Sequence, residues 1–331
     1  MLNFNHANIL EKYYDQLENI FDKRYIFNMN IDSEEEPLNF ILTKNCLIKT
    51  GENKYNVSFC TQAYLKCREL LYISHDWFYE KWKENSKIRI LHLCEAPGAF
   101  VYAIHDFYEI CDIKKCNPYF EWKMNSLNPF IKENELNSFK DEAGLMSKFS
   151  ENMFYGSNNT GNILNFTSND IQNLIQNECQ DKQELNVLPL IEKEILIALE
   201  TLNIGGLFIV KMYTFFENET QLLVIKLCQM FEKIQVVKPS CSKASNSEVY
   251  LICQNFFDEK RFIKKEKIIS NIARCCEIFA NYQMNAIQIN MDAYDSNLLE
   301  SYFAKSAINS IKSEAINQYC QKIMIPISFK K

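Results

Sequence analysis

Glycine and proline occur only seven times each among the 331 residues, and histidine occurs four times. With so few glycines, the chain contains neither a Gly-x-Gly-x-x-Gly fingerprint nor a P-loop, which excludes the common dinucleotide and nucleoside triphosphate sites. Cysteine is abundant, with 13 residues, but no Cys-x-x-Cys pair occurs. This spacing argues against zinc sites and disulfide frameworks, and predicts reduced, mostly buried cysteines in an intracellular protein that holds no metal.

Basic residues are fewer than acidic ones, so the formal net charge is −6 and the isoelectric point is near 5.5. The field of the whole molecule therefore does not attract nucleic acid, and an RNA site has to be a local basic patch. Residues 260–267 hold five lysines and arginines, a pattern that also fits a solvated helix face. No apolar run is long enough to span a bilayer, and residues 1–10 do not resemble a signal peptide.

The most informative segment that is present lies at residues 88–108. An apolar run predicts a buried strand, the sequence Glu95-Ala96-Pro97-Gly98 predicts a tight turn, and apolar periodicity predicts a helix behind it. Doubly wound α/β sheets build their ligand crevice with this order of elements, at the carboxyl ends of the strands. Gly98 would let the backbone approach a ligand closely, while Pro97 stiffens the turn.

The remaining pattern predicts three regions. Residues 1–54 form a helical appendage, residues 55–256 alternate between strands and helices, and residues 257–331 form a Lys-rich helical extension. Such alternation predicts an α/β fold, with a mostly parallel sheet covered by helices on both faces. We predict helices at 9–21, 57–72, 170–178, 184–202 and 217–231, and strands at 88–94, 120–127, 162–166, 207–212, 233–237 and 249–253.

Three charged residues stand out beside these elements. Lys211 lies within a buried strand, where a lysine is costly unless it is paired or faces the crevice. Glu248 lies at the edge of the last strand, and Lys66 lies on the helix before the turn. Each one alone also fits an ordinary surface side chain. Together they suit proton removal from a hydroxyl, since a lysine whose pKa is lowered by burial and by a second lysine accepts a proton at neutral pH.

Six segments, in this order, resemble the Adrift-type, cap-specific branch of the FtsJ-like RNA 2′-O-methyltransferases. They cover roughly residues 55–256 and include the strand, turn and helix described above. These segments are FCTQAYLKCRELL (59–71), LHLCEAPGAF (91–100), EWKMNSLNPF (121–130), YGSNNTGNIL (155–164), GGLFIVKMYTFFE (205–217) and KPSCSKASNSEVYLIC (238–253). The resemblance implies a Rossmann-like sheet that binds S-adenosyl-L-methionine.

The resemblance also assigns roles to residues. In the family's Lys-Asp-Lys-Glu tetrad, Lys66 resembles the first lysine, Lys211 the second lysine, which accepts the proton, and Glu248 the glutamate. The remaining residues resemble cofactor-binding positions, which are Glu95, Pro97, Gly98, Ala99, Phe100 and Trp122, or RNA-binding positions, which are Ser242, Lys243, Asn246 and Ser247.

The tetrad's aspartate is absent from its expected place. The family has a strand ending in Asp-Gly between the helices at 170–178 and 184–202, and this chain lacks that strand. A segment missing from the gene model, an inactive relative, or use of residues 185–191 as a degraded strand would each explain the difference, although Pro189 argues against the last. We expect the sequence as written to be catalytically weak or inactive, because losing one member of a cooperating set costs several powers of ten in rate.

The resemblance implies 2′-O-methylation of ribose in the cap region of mRNA, at the second transcribed nucleotide, with the capped 5′ end as partner and the nucleus or cytoplasm as location. It implies no membrane and no metal, and leaves protein partners unknown. An inactive cap- or RNA-binding relative and a methyltransferase for rRNA or tRNA are the alternatives.

Overall fold

The computed structural model describes most of the chain between residues 60 and 319. The described residues are 26–28, 60–84, 88–110, 120–134, 141, 144–166, 184–213, 215–242, 246–259, 261, 263–296, 301–319 and 323. The predicted helices at 9–21 and 170–178 lie outside them. The division into residues 1–54, 55–256 and 257–331 stays a prediction.

Helices and strands alternate through the described part of the chain, as the α/β prediction requires. The strands are β1 (Ile26–Asn28), β2 (Ile88–His92), β3 (Phe120–Met124), β4 (Leu207–Met212), β5 (Phe231–Val237) and β6 (Val249–Phe256). The α-helices are α1 (Gln62–Ile73), α2 (His75–Glu84), α3 (Ala99–Ile110), α4 (Leu145–Lys148), α5 (Glu184–Thr201), α6 (Asn218–Met230), α7 (Lys265–Asp295) and α8 (Tyr302–Tyr319). Short 3₁₀ helices cover Lys132–Asn134, Ser150–Asn152 and Ile163–Asn165.

The strands form two sheets within the described residues. In the first, the order is β1-β5-β6-β4, and β1 pairs antiparallel with β5. In the second, β2 and β3 pair in parallel, with Ile90 opposite Trp122. Strand β1, which the sequence pattern did not predict, lies within the region expected to be helical. The parallel pair is the one that carries the turn at Gly98, so the crevice predicted there has the expected strand arrangement.

Residues 162–166 are not a strand, so that prediction is wrong. The side chain of Asn162 accepts a hydrogen bond from the N–H of Leu164 at 3.1 Å, and this cap starts a 3₁₀ turn. Residues 185–191 lie within helix α5, which includes Pro189, so the suggestion that they serve as a degraded strand is also wrong.

Contacts divide the chain into two compact units. The first contains residues 1–58, 211–253 and 259–325, and the second contains residues 59–210, 254–258 and 326–331. The core of the first unit includes Phe215, Phe231, Ile234 and Val236, each at most 1% exposed. In the second unit α1 packs against α3, and the Tyr64 hydroxyl donates to Asp106 at 2.8 Å.

Candidate active site

Lys211 and Glu248 form an ion pair in the first unit. Lys211 Nζ lies 3.7 Å from Glu248 Oε2, and the lysine side chain is 46% exposed while the glutamate side chain is 11% exposed. Strands β4 and β6 are neighbours in the sheet, and the two residues lie at the end of β4 and immediately before β6. The sheet therefore brings together two residues that are 37 positions apart in the sequence, and leaves the ammonium accessible at the rim.

Two tyrosines flank this pair, and each lies two positions along the chain from one of its members. The Tyr250 hydroxyl donates to Glu248 Oε1 at 3.1 Å, so this carboxylate has one oxygen toward Tyr250 and the other toward Lys211. Lys211 Nζ also lies 5.3 Å from the centroid of the Tyr213 ring, within the range of a cation–π contact. Glu248 and Tyr213 together restrict the directions that the lysine side chain samples.

The segment expected to bind RNA immediately precedes Glu248. Ser242 is buried, and its hydroxyl lies 3.3 Å from Asn246 Oδ1, while Asn246 and Ser247 are half-buried. Lys243 lies outside the described residues. The role of these four residues in RNA binding stays a prediction, although the structure places the described three in the same loop as Glu248.

The turn at residues 95–98 belongs to the second unit and connects β2 to α3. Glu95 Oε1 accepts the N–H of Phe100 in the first turn of α3, so this carboxyl group caps the helix. Burial raises the pKa of Glu95 to about 8, although the hydrogen bond from Phe100 acts in the opposite direction. Pro97 is half-buried and Ala99 is buried beside it. The turn is therefore a fixed framework held by its own hydrogen bonds.

Gly98 has a φ of +100°, which residues with a side chain rarely adopt. A Cβ atom built at this position would lie 2.1 Å from Leu145 Cδ2 on helix α4. The close approach that requires glycine here is thus made by Leu145. A direct contact between Gly98 and a cofactor stays a prediction.

Polar atoms without hydrogen bonds cluster where β2 and β3 end. The N–H of Asn125 donates to the carbonyl of His92 at 3.0 Å, so the two strand ends are adjacent. The atoms His92 Nε2, Asn125 Oδ1 and Ser126 Oγ are buried and make no hydrogen bond within the described residues. Burial lowers the pKa of His92 to about 4, so its ring is neutral at pH 7. A buried polar group normally has a partner, so this donor and acceptor set fits the polar groups of a nucleoside cofactor.

Trp122 lies on β3, two residues before the end of the strand. Its ring packs edge-to-face on Phe149, with centroids 5.6 Å apart and planes at 72°. It contacts the cluster formed by Val101, Met124, Leu145, Met146 and Met153, as does Ala96 of the turn. Trp122 is therefore a half-buried wall residue in the same unit as the turn.

A family model described as FtsJ-like methyltransferase matches residues 62–256 of this chain, more than half of its length. The chain belongs to the FtsJ-like methyltransferase family. The match spans the turn at Gly98 and both members of the Lys211–Glu248 pair.

Individual relatives are consistent with this family. The chain is 26% identical to the cap-specific mRNA (nucleoside-2′-O-)-methyltransferase 2 of Pongo abelii, across 92% of this chain and 44% of that protein. It is 27% identical to the Mus musculus protein of the same name, across 85% of this chain and 41% of that protein. A probable methyltransferase of African swine fever virus is 28% identical, across 80% of this chain and 63% of the viral protein. The chain thus spans about two fifths of the two mammalian relatives.

The predicted site residues of this family member are divided between the two units. Lys211 and Glu248 are paired in the first unit, and the Gly98 turn and Trp122 lie in the second unit, as does Lys66 on helix α1. Lys66 alone fits an ordinary surface residue, yet the structure buries it to 7% exposure. Helix α1 is buried on all its faces from Tyr64 to Leu71, which a single apolar stripe in the sequence did not predict.

Sequence reasoning also missed functional candidates of this member of the family. The sequence pattern assigns Tyr250 to an apolar strand, and Asn125 and Ser126 to a strand that continues to residue 127. A signal was available for the last two, because polar residues that follow a buried parallel strand lie at its ligand-binding end. Among the described residues, no group of three acidic, histidine or cysteine side chains is placed to hold a metal, and no helix is long and apolar enough to cross a bilayer.

Proposed function

We propose that this FtsJ-like methyltransferase transfers a methyl group from S-adenosyl-L-methionine to a ribose 2′-oxygen in the cap region of mRNA, at the second transcribed nucleotide. The observation that carries this proposal is the Lys211–Glu248 pair at the rim of the sheet, with Nζ and Oε2 3.7 Å apart. The names of the mammalian relatives support the choice of a capped mRNA, although this chain spans about two fifths of their length.

In this proposal the ribose 2′-oxygen would form a bond to the methyl carbon as the bond from that carbon to the sulfonium sulfur breaks, and Lys211, in its neutral amine form, would accept the proton of the ribose hydroxyl. Glu248 holds the lysine side chain in place, and Lys66 is proposed to take the role of the first lysine of the family's tetrad. The cofactor supplies an activated methyl group on a sulfonium ion. Positioning and electrostatics then account for most of the rate, so the geometry of these side chains matters more than any covalent step by the protein.

The cofactor is proposed to lie at the carboxyl ends of β2 and β3. Asn125 and Ser126 offer a buried acceptor and a buried hydroxyl that have no hydrogen bond there. The half-buried ring of Trp122 would contact the adenosine, and the turn at Gly98 would enclose the methionine part. These residues all belong to the second unit, so cofactor binding is testable separately from catalysis.

The missing aspartate lowers the activity that we expect. Residues 167–183, where the family has its Asp-Gly strand, lie outside the described residues, and residues 185–191 are helical. In a tetrad of this kind, two lysines without their aspartate repel each other and lose alignment. We therefore propose turnover well below that of a relative with a complete tetrad. Because capped mRNA occurs in the nucleus and in the cytoplasm, the chain is proposed to act in one of these.

A methylation assay with labelled cofactor and defined RNAs tests the proposal. The substrates are a capped RNA, the same RNA already methylated on its first nucleotide, an uncapped RNA and a structured tRNA. Nuclease digestion and mass spectrometry then locate the label. Lys211→Met, purified in parallel, measures contaminating activity.

We expect label on the second ribose of capped RNA, slowly, and none in Lys211→Met. Label on the tRNA or the uncapped RNA would replace the proposed substrate. Binding of cofactor and capped RNA without any transfer would instead identify an inactive RNA-binding relative, which the missing aspartate makes the second candidate.

A further inference from the structure

Lys238 is a buried lysine that lies close to the proposed site. It follows the last residue of β5 directly and is only 5% exposed. Burying an ammonium group is costly unless oxygen atoms replace the water that it loses. The oxygen atoms around Lys238 therefore indicate why a charged side chain is kept at this buried position.

Three oxygen atoms accept hydrogen bonds from the Lys238 ammonium. They are the Asn246 carbonyl at 2.7 Å, Asn246 Oδ1 at 2.6 Å and the Glu248 carbonyl at 3.0 Å. A lysine ammonium has three N–H donors, so these contacts match its full donor capacity. Hydrogen bonds from a charged donor are stronger than neutral ones, particularly when water is excluded.

These bonds connect the two ends of the segment between β5 and β6. Lys238 lies at its start, while Asn246 and Glu248 lie at its end, next to the first residue of β6. Within the segment, the Ser242 N–H donates to the Pro239 carbonyl at 2.9 Å, and the Ser242 hydroxyl lies 3.3 Å from Asn246 Oδ1. The ammonium thus closes the loop at its base.

We propose that Lys238 is a positioning residue for the methyl-transfer reaction, which fixes the main chain at Glu248 so that the Glu248 carboxylate is held beside Lys211. This inference rests on the proposed function. The main chain of Glu248 is bound by Lys238 on one side and enters strand β6 on the other, so the direction of its side chain is set. Tyr250 then fixes one carboxylate oxygen at 3.1 Å.

Lys238 acts through Glu248 and not on the substrate. Its ammonium is nearly inaccessible and is occupied by three oxygens, whereas the Lys211 side chain is 46% exposed. Moving a reacting group by about 1 Å costs on the order of 100-fold in rate, so loosening the main chain at Glu248 affects catalysis more than binding.

The first test compares Lys238→Met with Lys233→Met, which makes the same chemical change at a residue of strand β5 outside the site. We expect Lys238→Met to lower the methyl-transfer rate at saturating cofactor and capped RNA by on the order of 100-fold. The Kd for S-adenosyl-L-methionine should stay within about twofold, since the proposed cofactor residues lie in the second unit. A Lys238→Met variant that reacts as fast as Lys233→Met overturns the inference.

A second pair of variants covers the case in which Lys238→Met does not fold. Asn246→Asp keeps an oxygen opposite the ammonium, whereas Asn246→Ala removes it. Because Asn246 is itself a predicted RNA-binding residue, the two variants are compared with each other, and we expect Asn246→Ala to be about tenfold slower than Asn246→Asp at saturating substrate. Equal loss in both variants overturns the inference, because the ammonium would then not be the group that matters.

Hydrogen exchange separates this inference from the proposed function. The amides of residues 239–248 should exchange faster in Lys238→Met and Asn246→Ala than in the wild type, with or without activity. Unchanged exchange overturns the anchoring role of Lys238. A wild type that transfers no methyl group, but whose loop loosens in these variants, refutes the proposed function and leaves the anchoring of Glu248 supported.

Discussion

Lys211 Nζ lies 3.7 Å from Glu248 Oε2, although the two residues are 37 positions apart in the sequence. The lysine side chain is about half exposed, while the glutamate side chain is almost buried and also accepts a hydrogen bond from Tyr250. The carboxylate is therefore the fixed partner and the ammonium is the mobile one. A mobile lysine beside a fixed carboxylate is suited to contact a substrate hydroxyl and then to return to the carboxylate.

Glu248→Gln keeps the shape of the side chain and removes its charge. We expect the methyl-transfer rate to fall by about 10- to 100-fold, because Lys211 loses the anion that orients it. Tyr250→Phe removes only the hydroxyl group that donates to Glu248 Oε1, and it should lower the methyl-transfer rate by about tenfold or less. Single-turnover kinetics measure both rates. A Glu248→Gln enzyme with the wild-type rate would remove the carboxylate from the mechanism.

The family resemblance gives Lys66 and Lys211 the roles of the two lysines of one tetrad. Lys66→Met and Lys211→Met should each lower the rate by about 100- to 10,000-fold, and the double variant should be no slower than the slower single variant, since cooperating groups are not additive. Lys226→Met, a half-buried lysine on α6, is the control. If the two losses multiply, the lysines work independently and the shared site is refuted.

Ser126→Ala removes a buried hydroxyl that has no hydrogen bond in the described part of the chain. We expect the melting temperature without cofactor to be unchanged or higher, and the Kd for S-adenosyl-L-methionine to rise about 5- to 10-fold by calorimetry. Ser74→Ala removes an equally buried hydroxyl at the end of α1 and should leave the Kd unchanged. Equal affinity in wild type and Ser126→Ala would place the cofactor elsewhere.

Gly98→Ala should destabilise the fold by about 2 kcal/mol or more, because it combines a positive φ with a Cβ 2.1 Å from Leu145 Cδ2. Gly144→Ala is the matched control, with φ at +65° and nothing within 4 Å of the added Cβ, and should cost less. In denaturant unfolding, Gly98→Ala combined with Leu145→Ala should cost less than the sum of the single changes. If the free-energy costs of the two single changes simply add in the double variant, contact with Leu145 is not the reason that position 98 requires glycine.

Glu95 makes the stability of the protein depend on pH. Its pKa is raised to about 8 from a usual value of 4.5, so the folded protein keeps a proton that the unfolded chain loses first. The resulting stabilisation is complete below the unfolded pKa and is lost as the pH rises through about 8. Because the lowered pKa of His92 makes stability rise with pH up to about 6.5, the two effects offset each other below that pH, and the melting temperature of the wild type should fall mainly between about pH 6.5 and about pH 8.

Glu95→Gln should remove this decline while retaining an oxygen that accepts the Phe100 N–H. Glu192→Gln, an exposed position on α5, should leave the decline as in the wild type. A decline of the same size in Glu95→Gln would assign the pH dependence to another group.

The sequence by itself determined the family, the order of most strands and helices, and the identity of the candidate charged residues Lys66, Lys211 and Glu248. The apolar runs before the turn at residues 95–98 and around Lys211 specify strands because burial and turn chemistry are local properties. The extent of helix α1, the 3₁₀ turn at residues 163–165 and strand β1 were not predictable in this way. Their conformations depend on side-chain caps and on segments that are distant in the sequence.

Only the tertiary structure decided which of these residues meet. It paired Lys211 with Glu248, added Tyr250, bound the buried Lys238 to the loop before Glu248, and packed Leu145 against Gly98. A linear pattern encodes whether a residue is polar or apolar and how often such residues recur. Distances between strands follow from sheet order and side-chain packing, which arise only when the chain has folded.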